Sequence, residues 1–412
     1  MSTSSTLKRH LGFWDIIMFG IGGIVGAGIY AIIGEAGGLA GNMLWLSFAI
    51  AAVVALLTGL TYAEFVSLFP DSGGSFEYVK QGFGQKIALI LSVFMLFTGI
   101  VAAAAIAISF SDYLTRLLDV PNWTSTLGIL ILMSLLNIVG IQQASWFNTL
   151  ATIVTLAGLA AVVIFAIPAW GSTPLLESPP KGTTGILSGT ALIFFSFVGF
   201  EDLVKMAEET KEPEKNMPRG ILISGVAVLL IYILIAVSAV SILDWKELSE
   251  RNGPLAAVME TVAGKTWANI LIGVALFATS KTILSNILGT SRLVYDVARD
   301  SKANWMKKLT SVAKATGTPI FSIIAITALA IVFGLIGNLK VVASISNVLI
   351  FLVFLMVNFA MISYRINHEK AKDAPFRIPL NINNIPIPTV IAIVGLLILL
   401  GFNIYNIFTG IG

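Results

Sequence analysis

The chain has 412 residues, of which 57% are hydrophobic and only 11% are charged, and its mean hydropathy is +0.92. A soluble globular protein carries about 25% charged residues. This composition therefore excludes a soluble enzyme, a disordered chain and a nucleic-acid-binding protein, and it predicts an all-α polytopic membrane protein. Basic loops account for the net charge of +3, and the absence of cysteine excludes disulfides and thiolate metal sites.

Eleven apolar stretches are long enough to cross a bilayer, which takes about 20 residues per helix. They lie at 14–35, 43–68, 86–115, 125–141, 146–168, 187–206, 219–243, 267–297, 318–337, 342–365 and 388–409. We expect no cleaved leader, because the first apolar stretch continues into further spans. The long continuous runs also exclude a β-barrel, whose strands alternate over about ten residues.

The distribution of basic residues predicts the orientation of the chain. With the N-terminus in the cytoplasm, 18 of the 25 lysines and arginines lie in inner segments and 6 in outer ones. This bias is typical of a cytoplasmic N-terminus, and we expect a multi-pass protein of the plasma membrane. The one basic residue left over, Lys281, falls inside the eighth span.

Span 1 has an unusual density of glycine near its middle. Five glycines occur between residues 20 and 28, and each interior glycine costs a helix about 1 kcal/mol relative to alanine. An unwound segment is therefore expected, and at that depth irregular backbone is tolerated only where it is buried in protein or lines a wet cavity. The alternative is that the glycines only allow close helix packing.

Span 6 is interrupted as well, by Ser196 and Gly199 followed by Glu201 and Asp202. Two interrupted spans, five apart, indicate a transporter built from inverted five-helix repeats. The repeats would be 14–168 and 187–365, with 388–409 as an additional span in one transporter domain. Such breaks suit a small zwitterion, because helix N-terminal N–H groups accept a carboxylate and exposed carbonyls accept an ammonium.

Several short motifs, in this order, resemble the amino acid–polyamine–organocation (APC) transporter superfamily over nearly the whole chain. They are GGIVGAGIY at 22–30, FSFVGFE at 195–201, NMPRG at 216–220, SRLVY at 291–295 and PFRIP at 375–379. The resemblance implies a ten-helix inverted-repeat core that works by alternating access, without enzyme activity, cofactor or metal. Members of the superfamily usually have twelve spans, against the eleven counted here.

The resemblance also implies an amino-acid site at the two breaks. The substrate carboxylate would meet N–H groups that follow Gly26, on Ala27, Gly28 and Ile29. The ammonium would meet carbonyls near Ile24, Val25, Ser196 and Val198. Phe197 or Phe200 would gate the site, unless both phenylalanines face lipid or neighbouring helices.

Lys281 lies about 16 Å along the helix from Arg292, and so near the middle of the membrane. A charge at that depth costs about 2.5–3.5 kcal/mol on insertion scales and is a functional candidate by default. Sodium-coupled relatives of this fold place a cation between spans 1 and 8. We predict that the Lys281 ammonium takes its place, reaching the carbonyls of Gly22 and Val25, with Ser280 and Thr155 in the same space.

Three roles for Lys281 stay open at this point: a proton-dependent latch, a static cation, and a partner of another buried group. The leading function is a secondary amino-acid transporter, coupled to protons and selective for neutral substrates because few acidic side chains lie near the site. The alternative is an amino acid/polyamine exchanger or a uniporter. No filter motif supports an ion channel, and no intramembrane catalytic pair supports an enzyme.

Two acidic pairs complete the candidates. Glu64 and Glu77 are expected to pair with basic residues of the second loop, with a proton relay as the alternative. Glu201 and Asp202 would guard the inner exit, or Glu201 would pair with Lys205 one helical turn later. The side-chain specificity and the oligomeric state are left open by the sequence.

Overall fold

A computed structural model describes residues 9–70, 74–139, 141–299, 309, 311–312, 318–368 and 372–409. Most of them are helical, as the composition predicts. The α-helices are α1 (Phe13–Ile24), α2 (Ala27–Ala40), α3 (Leu44–Leu68), α4 (Ser75–Phe83), α5 (Gln85–Leu114), α6 (Asn122–Val139), α7 (Ile141–Ala166), α8 (Gly182–Ile193), α9 (Phe200–Leu203), α10 (Pro213–Ile242), α11 (Trp245–Glu250), α12 (Pro254–Ala263), α13 (Lys265–Arg299), α14 (Ile320–Gly334), α15 (Leu339–Asn367) and α16 (Ile387–Thr409).

Short 3₁₀ segments extend or join several of these helices, at Gly41–Met43, Ile167–Ala169, Phe194–Phe197 and Val204–Glu209. A single two-stranded hairpin, β1 (Asn381–Ile382) and β2 (Ile385–Pro386), precedes α16 within the described residues. Each of the eleven predicted spans overlaps at least one of these helices.

Nine helical stretches in the described part of the chain are long and apolar enough to cross a bilayer. The prediction of an all-α polytopic membrane protein is therefore confirmed. One stretch, Ala27–Leu68, joins α2 and α3, while α1 and α14 are shorter apolar helices. The count differs from eleven because span 1 is divided at its glycines and span 9 has only 15 helical residues. The division into two inverted repeats stays a prediction.

Three short helices, α4, α11 and α12, were not predicted. They have 9, 6 and 10 residues, too few to cross a bilayer, and the 20-residue template does not detect them. In the membrane bundle, α3 packs against α10 and α5 packs against α13. These are the helices that the predicted repeats would relate to one another.

The segment between α15 and α16, which we call the strap (residues 372–386), is hydrogen-bonded to a buried ion pair between α3 and α15. Arg365 on α15 and Glu64 on α3 are both fully buried, and Arg365 Nε donates to Glu64 Oε1 at 2.7 Å. The backbone N–H of Ile378 in the strap donates to the other carboxylate oxygen at 2.8 Å. Arg365 also donates to Asn381 and to the Asn384 carbonyl. The charges therefore satisfy each other and hold the strap in place.

The predicted partner of Glu64 was wrong, since it comes from span 10 and not from the second loop. Glu77, by contrast, pairs with Lys80 of that loop, at 3.0 Å between Oε2 and Nζ. Hydropathy cannot reveal the Glu64–Arg365 pair, because the two residues lie 301 positions apart in the sequence.

The start of span 1 is joined to the end of span 6 by backbone hydrogen bonds. The N–H groups of His10 and Leu11 donate to the Glu209 carbonyl at 2.9 and 3.0 Å. In return, Lys211 N–H donates to the Leu11 carbonyl at 2.9 Å. The start of span 1 and the end of span 6 therefore lie side by side.

Candidate functional site: the breaks of spans 1 and 6

Span 1 is interrupted at Val25 and Gly26. The helix α1 ends at Ile24, the backbone of Val25 is extended, and α2 begins at Ala27. The last carbonyls of a helix have no intrahelical donor, so those of Gly22 and Ile24 are left open to side chains at the middle of the bundle.

Glycine at 26 allows another helix to approach the break. A Cβ added to Gly26 would lie 2.6 Å from the Thr282 hydroxyl oxygen of α13. That hydroxyl accepts the N–H of Ala27 at 3.1 Å and donates to the Ala278 carbonyl. Thr282 therefore satisfies the first N–H of α2. This residue was not among the predicted site residues.

Span 6 is interrupted over residues 194–199. A 3₁₀ turn follows α8, the backbone of Val198 is extended, and Gly199 has a φ of +131°. This φ favours glycine, and a Cβ there would lie 2.6 Å from the Gly23 carbonyl oxygen. On the other side of the break, a Cβ at Gly28 would lie 2.6 Å from Ser196 Cα. The two breaks therefore touch each other directly.

Tyr232 of α10 connects the two breaks. Its hydroxyl lies 3.1 Å from the Ile24 carbonyl oxygen and 3.0 Å from the Ser196 carbonyl oxygen. Tyr232 is fully buried, and its ring packs against Phe48 and Phe197 with centroid distances of 5.7 and 5.2 Å. Tyr232 was not predicted, because its only signal in the sequence is a polar group within an apolar span.

The structure places Lys281 against the C-terminal end of α1. Its ammonium donates to the Gly22 carbonyl and, at 2.9 Å, to the Thr152 hydroxyl of α7, and the Val25 carbonyl oxygen lies 3.4 Å away. The side chain is buried, with 3% of the residue exposed. Lys281 therefore links α1, α7 and α13 at the middle of the bundle.

The sequence predicted that Thr155 lies beside Lys281. The hydroxyl that contacts the ammonium belongs instead to Thr152. Thr155 lies about one turn further along α7, where its hydroxyl donates to the Ala151 carbonyl at 2.6 Å and its own carbonyl accepts from Tyr30. Ser280 is buried next to Lys281 in the chain.

Both predicted gate residues lie in the protein interior. Phe197 and Phe200 are 3% and 5% exposed. The ring of Phe200 packs edge-on against Tyr62, with centroids 5.5 Å apart, and against Phe354 at 5.0 Å. In this closed arrangement both rings face neighbouring helices and not lipid. Packing against neighbouring helices was one of the alternatives that the sequence left open.

The carboxylates that follow the second break have separate partners. Lys205 pairs with Asp202 and not with Glu201, so the predicted Glu201–Lys205 pair is wrong. The Glu201 carboxylate instead accepts the N–H of Gly199 at 2.8 Å. Glu201 therefore stabilises the break itself, a short-range contact that the i, i+4 rule does not consider.

Comparison with known proteins agrees with this geometry. The family model described as amino acid permease matches residues 11–410. The chain is 27% identical to "Cationic amino acid transporter 8, vacuolar" of Arabidopsis thaliana, over 88% of this chain and 64% of the relative. It is also 27% identical to "Branched-chain amino acid permease BcaP" of Bacillus subtilis (strain 168), over 91% and 84%.

A mammalian relative, "Cationic amino acid transporter 4" of Mus musculus, is 27% identical over 91% of this chain and 62% of its own length. The chain thus spans less than two thirds of the cationic transporters that it matches here. These relatives are transporters and permeases by name, not enzymes. The family match covers nearly the whole chain, including both breaks. The chain therefore belongs to the amino acid permease family, and with it to the APC superfamily that its motifs resemble.

Proposed function

We propose that the protein is a secondary transporter of amino acids that works by alternating access in the plasma membrane, with its N-terminus in the cytoplasm. Its family supports amino-acid transport, and the two adjoining breaks bring helix-terminal backbone groups together at the middle of the bundle, where side chains and not helical backbone are their partners. The site is closed in this structure, since Ile24, Ser196 and Phe197 are each less than 5% exposed. Transport then requires the helices around the breaks to separate on each side in turn.

The substrate is held mainly by backbone. The N-terminal turn of α2, at Ala27, Gly28 and Ile29, takes the carboxylate through N–H groups and the positive end of the helix dipole. The carbonyls of Ile24 and Ser196 take the ammonium. Because this recognition uses the common part of every amino acid, the surrounding side chains set specificity.

Those side chains favour a neutral substrate. Phe197 and Phe200 are apolar, and the carboxylate next to the break, Glu201, already accepts the Gly199 N–H. Relatives are named for both cationic and branched-chain amino acids. A direct comparison of the uptake of neutral and cationic substrates therefore tests the preference. We expect proteoliposomes to accumulate labelled L-leucine or L-alanine and to exclude L-arginine and putrescine. Accumulation of arginine alone would contradict a neutral site.

The observation that carries the coupling proposal is the contact of Lys281 with Gly22 and Thr152. The ammonium fills the space between spans 1 and 8 and ties α1 to α7 and α13. A neutral amine has fewer donors and no charge to hold the α1 carbonyls. Loss of the proton therefore weakens the tie, and we propose that this couples separation of α1 to proton movement.

Substrate uptake by Lys281→Met, compared with wild type across pH and with and without sodium, tests this coupling. We expect wild-type uptake to follow an inward proton gradient and to be indifferent to sodium. The variant should still exchange labelled for unlabelled substrate but lose its response to the gradient. Lys265→Met is the matched control, because Lys265 is exposed at the start of the same helix. Unchanged pH dependence in Lys281→Met would refute the latch.

A static role for Lys281 is the second candidate, and one observation favours it. Three oxygens, of Gly22, Val25 and Thr152, surround the ammonium, matching the three protons that an ammonium can donate. A permanently charged Lys281 would make the protein an exchanger or uniporter. In that case Lys281→Met lowers uptake equally at every pH.

A further inference from the structure

Two backbone carbonyls converge on one side-chain hydroxyl at the centre of the site. The Ile24 carbonyl belongs to span 1 and the Ser196 carbonyl to span 6, and both oxygens lie within 3.1 Å of the Tyr232 hydroxyl. A phenol has a single proton to donate. The hydroxyl therefore donates its proton to one of the two carbonyls at a time and cannot donate fully to both.

This arrangement suits a donor with more protons than a phenol. Ile24 is the last residue of α1, so its carbonyl lies at the negative end of a helix dipole, which favours a cation. A primary ammonium carries three protons and a positive charge. It can donate to both carbonyls at once, which the hydroxyl cannot.

The hydroxyl occupies a position from which an ammonium could donate to both carbonyls. N–H bonds of an ammonium diverge at the tetrahedral angle, so its acceptors lie about 4–5 Å apart at ordinary hydrogen-bond lengths. The hydroxyl oxygen is only 3.0–3.1 Å from each carbonyl oxygen. A nitrogen in the position of the hydroxyl oxygen would therefore lie at hydrogen-bond distance from both carbonyl oxygens.

We propose that the Tyr232 hydroxyl stands in for the α-ammonium in the substrate-free transporter, and that substrate binding replaces it at the carbonyls of Ile24 and Ser196. This rests on the proposed function. The ring is fixed between Phe48 and Phe197. The hydroxyl therefore stays close to the site, where it competes with the substrate ammonium for the two carbonyls. In the empty transporter, the hydroxyl keeps the two broken spans together. It also selects for amino acids with a primary amine, because their ammonium carries enough protons to displace it.

The closing experiment is binding of L-alanine, L-leucine and L-arginine to purified wild type and Tyr232→Phe, measured by equilibrium binding and by thermal stabilisation. The variant keeps the packed ring and loses the hydroxyl. We expect the empty variant to melt at a lower temperature, because it loses the buried hydrogen bond that this hydroxyl donates. We also expect its substrate Kd to fall by about fivefold or more, the factor for one unmet buried hydrogen bond.

Tyr113→Phe is the matched control. Tyr113 is also buried, and its hydroxyl donates to a backbone carbonyl of α2, that of Tyr30, away from the breaks. Its loss should lower the melting temperature without tightening binding. Incorporation of 3-fluorotyrosine at position 232 gives a second variant with an intact hydroxyl, whose stronger donation should weaken substrate binding.

The outcomes separate the two proposals. If no amino acid binds wild type, the proposed function fails and this inference fails with it. If wild type binds but Tyr232→Phe binds more weakly or equally, only the inference is overturned, and Tyr232 is an anchor of the site. Should Tyr232→Phe not fold, unchanged or tighter binding by the fluorinated protein overturns the inference.

Discussion

The buried ion pair between Glu64 and Arg365 should dominate the stability of the strap. Replacing Glu64 by glutamine leaves the Arg365 charge buried, with both side chains fully shielded from solvent, and weakens the acceptor of the Ile378 N–H. Breaking a buried pair from one side costs about 3–5 kcal/mol. We expect the free energy of unfolding, measured by titration with a denaturing detergent, to fall by about this amount in Glu64→Gln.

The matched control is the half-exposed pair of Arg251 with Glu247, at 2.6 Å between Nη2 and Oε1. Glu247→Gln should cost about 0.3–0.5 kcal/mol, since water screens an i, i+4 pair on a helix surface. The double variant Glu64→Leu/Arg365→Met, which leaves no charge behind, should recover much of the loss. A loss below about 1 kcal/mol in Glu64→Gln would refute the reasoning, because it would mean that water reaches the guanidinium.

Two further predictions concern the breaks and the orientation. Gly28→Ala places a Cβ 2.6 Å from Ser196 Cα, and because overpacking costs about 1–3 kcal/mol, uptake should fall about fivefold or more. Gly128→Ala, where a Cβ meets nothing within 4 Å, should leave uptake unchanged, and equal activity of both variants would contradict a tight contact at the site. Because the chain has no cysteine, single cysteines report topology: an impermeant maleimide should label Lys265→Cys on intact cells and Lys86→Cys only after permeabilisation. The reverse pattern would place the N-terminus outside.

The sequence predicts the breaks well because their cause is local. The five glycines of span 1 destabilise a helix wherever they lie, and the chain is indeed unwound at Val25 and Gly26. Lys281 is equally visible, because a charge within an apolar run has few explanations. Both features follow from composition within a single span.

Features that depend on how helices pack were not predicted in the same detail. Thr152 and Thr155 are separated by less than one turn of α7, and only the crossing of α7 with α13 decides that Thr152 meets Lys281. Tyr232 reaches the site from a helix that shows no interruption of its own. The three short helices were missed because hydropathy detects only long apolar runs. The strap was missed because its position depends on hydrogen bonds to the distant Glu64–Arg365 pair.

The backbone hydrogen bonds between Leu11 and the 209–211 segment have a mechanical consequence. They join the start of span 1 to the end of span 6. Close to the middle of the bundle, Gly23 and Gly199 are in contact as well. The two half-helices are thus fastened to each other at both ends. A motion of one half-helix away from the bundle would break these contacts unless the other moved with it. We therefore expect the two half-helices to move as a single unit at the end of the bundle where span 1 begins.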